Sequence, residues 1–134
     1  MKITYKETKN FSADDLKELF LSVNWASGKH CDKLVIAMKN SGTVYSAWDG
    51  KKLAGLVNVL DDSIMTAYIH YLLVNPEYQG NGIGKELMQR VCDKYKDYLR
   101  LVLIAYEREA EFYRHCGFKI AKGDVPMFIT SLST

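Results

Sequence analysis

Gln79, Gly80, Gly82 and Gly84 follow an apolar run that ends at Asn75-Pro76, and a helical pattern begins at once. Unpaired backbone N–H groups at a helix start, together with the helix dipole, favour an anion. Glycines in such a loop let the main chain approach a diphosphate closely. The spacing excludes the two commonest phosphate loops. A dinucleotide fingerprint requires a third glycine where Lys85 stands, and a nucleoside-triphosphate loop requires Ser or Thr where Glu86 stands. Two other runs stand out: Glu111-Phe112-Tyr113-Arg114-His115-Cys116-Gly117-Phe118, which contains Tyr113, and Ala67 to Val74, which contains His70. In general a phenol stays protonated near neutrality and can donate a hydrogen bond, and an imidazole titrates close to that range.

The motif Gln-x-x-Gly-x-Gly, Gln79 to Gly84, resembles the coenzyme A pyrophosphate loop of the GNAT N-acetyltransferases. Phe112-Tyr113 followed by Gly117-Phe118 is similar to that family's short helix and next strand, and the likeness covers nearly the whole chain. It implies that Gln79, Gly80, Asn81, Gly82, Ile83 and Gly84 bind acetyl-coenzyme A. Lys85 either adds a charge contact or is a solvated first-turn lysine. It also implies a bulged strand splayed from its neighbour, with the main chain of Leu72, Leu73 and Val74 pairing with the pantetheine arm and one amide polarising the thioester carbonyl. By the same match Tyr113 protonates the departing thiolate. His70 stands where arylalkylamine N-acetyltransferases carry a histidine that removes the amine proton; a chain of ordered waters is the alternative.

A narrower resemblance rests on Val23-Asn24-Trp25, Lys33-Leu34, Met38-Lys39-Asn40-Ser41, Val57 and Met127-Phe128. These are similar to the small bacterial and plastid acetyltransferases grouped with plant serotonin N-acetyltransferase. The implied reaction is direct transfer of acetyl from acetyl-coenzyme A to a primary amine in a ternary complex, with arylalkylamines or polyamines as acceptors. A protein lysine or N-terminal acetyltransferase, or an acyl-coenzyme A-binding module without turnover, are the alternatives. Two positions depart from the pattern: Tyr106 stands where many GNAT proteins carry Asn, and Tyr71 where the plastid relatives carry Asp. Trp25, Tyr45, Tyr68 and Phe128 form either an aromatic wall for the acceptor or ordinary core or a subunit contact.

The elements that must position these groups read as an α+β chain, three layers in α/β/α order by the resemblance, over one domain at 1–134. Ile3 and Tyr5 alternate in a short strand, Ser12 caps a helix with the stripe Leu16, Leu19, Phe20 and Val23, and Cys31 to Met38 repeats that spacing. Asp49-Gly50 separates two strand runs, and Met65 to Val74 makes a third. The helix after the glycines buries Ile83, Leu87, Met88, Val91 and Tyr95. Leu99 to Ala105 alternates too little to expose a face, which predicts a central, buried strand. Glu107 to Cys116 predicts a short helix closed by Gly117, with final strands at Phe118–Ala121 and Met127–Leu132. The sheet is expected to be mixed and mostly antiparallel, with about four helices.

Composition narrows the partners. A net charge of +2 gives no reason to expect nucleic acid or a membrane surface. Cys31, Cys92 and Cys116 are far apart and contain no CxxC pair, so neither a metal site nor a disulfide framework is expected. The N-terminus lacks an apolar signal core, which leads to the expectation of a cytoplasmic protein. A homodimer is a further expectation, with Phe128, Ile129 and Leu132 as either core or interface.

Overall fold

The computed structural model describes residues 1–132. Five strands, β1 (Ile3–Glu7), β2 (Thr43–Asp49), β3 (Lys52–Asp61), β4 (Thr66–Val74) and β5 (Arg100–Leu103), form one sheet in the order β1-β2-β3-β4-β5. The first four are antiparallel, and β4 pairs with β5 in parallel. Helix α3 (Ile83–Lys94) makes that parallel crossover and covers one face. Helices α1 (Ala13–Ser22) and α2 (Cys31–Asn40) cover the other, and α4 (Ala110–His115) follows β5. The mixed α+β sandwich with four helices is as expected.

Local chemistry explains these elements. The Ser12 hydroxyl accepts from the Asp15 amide at 3.1 Å and caps α1, a contact worth about 1 kcal/mol. Asp49-Gly50 turns β2 into β3 with Gly50 at φ +60°. In α3, Ile83, Leu87, Met88 and Val91 are buried against the sheet at helical spacing, each worth about 1.5–3 kcal/mol on burial.

Two expectations are corrected. The 99–105 run is not a central buried strand: β5 is the edge of the sheet among the described residues, and Leu99 is 78% exposed. Leu101 and Leu103 pack against the cluster under α3 while Val102 is exposed, and among the described residues no further strand joins β5. The expected strands at Phe118–Ala121 and Met127–Leu132 are absent too; residues 118–132 carry no ladder. Gly117 and Gly123 at positive φ and the Ala121–Asp124 turn redirect this segment away from β5.

Candidate active site

The decisive irregularity lies in β4. Asn58 pairs with Tyr71 but Val59 pairs with Ile69, so His70 is an extra residue in the ladder. The bulge exchanges the faces of the strand. Before it, Ala67 and Ile69 pack under α3; after it, Tyr71 and Leu73 pack under α1 and α2. His70 and Tyr71, though adjacent, therefore lie on one side, their rings stacked 3.9 Å apart, with Tyr68 stacked 5.6 Å from His70. The parallel pairing with β5 ends at Ile69–Leu103, so among the described residues β4 beyond the bulge has no strand partner on that side.

The asparagine opposite the bulge holds it. Asn58 Oδ1 accepts from the Tyr71 amide at 2.9 Å, and Asn58 Nδ2 donates to Ser41 Oγ at 3.2 Å. The Tyr71 hydroxyl in turn pairs with buried Ser27 at 2.8 Å. Asn58→Leu leaves the Tyr71 amide unpaired, which costs about 1–3 kcal/mol. The expected result is a lower melting temperature together with impaired function at the cleft; calorimetry that finds wild-type stability would remove Asn58 from this role.

The opened edge meets the glycine loop. The Asn75 amide donates to Ala54 O at 2.8 Å, on the β3 side. Strand alternation then turns the main chain of Leu73 the same way and that of Leu72 and Val74 toward the splayed side. The Gln79 side chain donates to Val74 O at 3.1 Å and ties the loop to that edge. Gly80 (φ +83°) and Gly82 (φ +76°) adopt the left-handed conformation, and a Cβ at either would meet no atom within 4 Å, so their backbone faces open space. The first helical bond of α3 is Glu86 N–H to Gly82 O at 3.0 Å. The amides of Ile83, Gly84 and Lys85 precede it and have no partner within the helix.

These parts border a single cleft of about 990 Å³ reaching from the loop to Trp25. Tyr113, on α4, forms part of its wall. Burial first, then the Glu109 charge and Cys116, push its phenol up to about 12, so it stays a proton donor. Desolvation holds His70 below the usual imidazole value, which favours the neutral, proton-accepting ring. Burial raises the Cys116 thiol despite Lys85 nearby, the wrong direction for a nucleophile.

Comparison with known proteins agrees with this geometry. The family model described as acetyltransferase (GNAT) family matches residues 8–118. The chain belongs to the GNAT acetyltransferase family. An uncharacterized N-acetyltransferase ycf52 of Gracilaria tenuistipitata var. liui is 32% identical over 110 residues, 78% of this chain and 60% of that protein. A histone acetyltransferase of Glycine max is 32% identical over 118 residues, 78% of this chain and 51% of that protein. The chain thus spans between half and three fifths of these curated relatives. A GNAT acetyltransferase structure from Streptococcus pneumoniae TIGR4 superposes with a TM-score of 0.81 at 27% identity, covering 97% of this chain and 99% of that one.

On this GNAT frame most sequence-predicted residues meet at the cleft: His70, Leu72, Val74, Gln79, Gly80, Gly82, Ile83, Gly84, Lys85 and Tyr113 all border it. So do Trp25, Tyr68 and Phe128. At three positions the structure is more specific. Tyr45 packs in the core beneath α3, 9% exposed, because its position in β2 points it to the face opposite the aromatic wall. Leu73 borders the cleft, but its main chain turns toward β3. The Asn81 side chain donates to Tyr78 O at 2.9 Å and braces the loop from within. Asn58 and Ser27 were not singled out from the sequence. The available signal was a polar residue inside the apolar run Leu56-Val57-Asn58-Val59-Leu60.

Proposed function

We propose that this chain is an acetyl-coenzyme A-dependent N-acetyltransferase that acylates the primary amine of a small molecule by direct attack. The carrying observation is the bulge at His70, which frees the Leu72 and Val74 edge beside the glycine loop. Open backbone at Gly80 and Gly82 and the helix-start amides of Ile83, Gly84 and Lys85 fit a diphosphate. When bound, acetyl-coenzyme A supplies an activated acyl thioester.

In this reading the Leu72 and Val74 main chain aligns the pantetheine arm, and an amide on that edge stabilises negative charge on the acyl oxygen. His70 accepts the proton lost by the attacking amine. Tyr113 donates its proton to the sulfur as the C–S bond breaks, and solvent restores it. The chain mainly orients the two reactants, which makes their encounter effectively intramolecular. The raised Cys116 thiol supports direct attack over a cysteine acyl-enzyme. The aromatic lining of Trp25, Tyr68 and Tyr71 supports a small acceptor.

The test is acetyl-coenzyme A binding by calorimetry, followed by thiol release against small amines and peptides. Failure to bind the thioester refutes the reading. A pH profile checks His70: the depressed imidazole should place an acid limb in kcat/KM below pH 6.5, with rate falling as the ring protonates. His70→Gln should remove that limb, whereas an unchanged limb assigns the proton to ordered water. Stability follows the same sign, declining as pH falls through this range because the unfolded imidazole binds its proton more readily.

A further inference from the structure

Beside Tyr71 the cleft adjoins a smaller cavity of about 350 Å³ between the start of α2 and the C-terminal segment. Tyr71, Thr130 and Leu132 border both spaces. Ser27, 2% exposed, lines the smaller one and fixes the Tyr71 hydroxyl at 2.8 Å. An acceptor whose amine lies at His70 would have this cavity beside it, on the other side of Tyr71.

The ionisable side chains lining it are basic ones. His30 and Lys33 border the cavity, and no acidic residue does among the described residues. Neither of the two enters any ion pair found among the described residues. In the main cleft the sole carboxylate in the described lining is Glu109, beside Tyr113, with its oxygen 3.8 Å from Arg108. A polyamine or a lysine-rich tail would find no counter-charge at the far end. An anionic group would find an ammonium, an imidazole and the hydroxyl-bearing Ser27, Thr130 and Ser131. Lys33 and His30 are both exposed, so what they supply is a preference of sign for the far end of the acceptor.

We infer, building on the acetyltransferase reading above, that the acceptor is an amine carrying an anionic group, carboxylate or phosphate, which Lys33 and His30 bind at the α2 end of the cleft. Lys33 is exposed on α2 outside the packed stripe of Leu34 and Met38, so its replacement leaves the core intact.

The experiment compares 4-aminobutyrate, 4-aminobutanamide and 1,4-diaminobutane, which are similar in length and differ in terminal charge, with 3-aminopropyl phosphate as the phosphate arm. Thiol release gives kcat/KM for the wild type and Lys33→Glu. The acid-bearing amines should exceed the amide and the diamine by about tenfold or more, and Lys33→Glu should reverse that order while acetyl-coenzyme A affinity holds. The better of 4-aminobutyrate and 3-aminopropyl phosphate identifies the anion. A wild type that prefers the diamine or the amide, or an order unchanged in Lys33→Glu, overturns the inference. Failure of the thioester to bind, or of every amine to react, counts against the acetyltransferase reading instead. Calorimetric binding of 4-aminobutyrate against 1,4-diaminobutane then still decides the charge preference.

Discussion

Tyr113→Phe is expected to lower kcat about a hundredfold while leaving acetyl-coenzyme A affinity within about twofold. The substitution isolates one atom. Tyr113 packs edge-on against Phe112 at 5.1 Å and Phe118 at 6.2 Å, contacts that a phenylalanine ring preserves. Only the O–H is lost, and burial holds its proton with a pKa of about 12. A group so placed contributes nothing to ground-state charge and acts when negative charge develops on sulfur. Its removal therefore belongs in kcat rather than in binding. Steady-state rates with pre-steady-state confirmation that chemistry limits turnover make the measurement. An unchanged kcat under those conditions removes Tyr113 from the mechanism. A raised dissociation constant with unchanged kcat would instead make it part of the binding wall.

The parts of this site that were legible in the sequence are those fixed by local chemistry. Gly80 and Gly82 stand where the chain turns left-handed, and the 3.6-residue spacing of Ile83, Leu87, Met88 and Val91 identifies the helix that follows. The bulge depends on non-local register. Tyr68 to Val74 reads as one continuous strand, and only the offset against Asn58 and Val59 shows that His70 and Tyr71 share a side. Tyr45 stays open between wall and core in the sequence for the same reason: a period of two separates the faces of a strand without saying which layer covers each. For β5 the apolar run promised a central place and for the closing segment a ladder, but both depend on a partner distant in sequence. Residues 118–132 turn at Gly117 and Gly123 instead, leaving Phe128 65% exposed beside the cleft. Lys33 and His30 look like an ordinary solvated helix start until the fold brings Tyr71 and Thr130 beside them.

Gly82→Val should raise the acetyl-coenzyme A dissociation constant more than a hundredfold with only a modest loss of stability. Gly82 caps α3 at φ +76° and ψ +11°, a conformation that costs an ordinary L-residue about 1–2 kcal/mol and a β-branched one more. The added side chain would meet no protein atom near its Cβ, so packing does not resist it. Both relief of the strain and the bulk of the isopropyl group act on the space before the free amides of Ile83, Gly84 and Lys85. Relaxation toward negative φ would rotate the amides of the loop, and an unrelaxed valine would stand between them and a diphosphate. Gly84 is the matched comparison. It has no positive φ, and a Cβ there would lie 3.4 Å from Phe112 Cζ, in van der Waals contact, so Gly84→Ala touches α4 and Tyr113's neighbour rather than the loop. Its expected signature is a change in kcat with smaller effect on thioester affinity. Isothermal titration of both variants, with melting curves to confirm folding, separates the two glycines. Normal affinity in a folded Gly82→Val protein would move the diphosphate away from the start of α3.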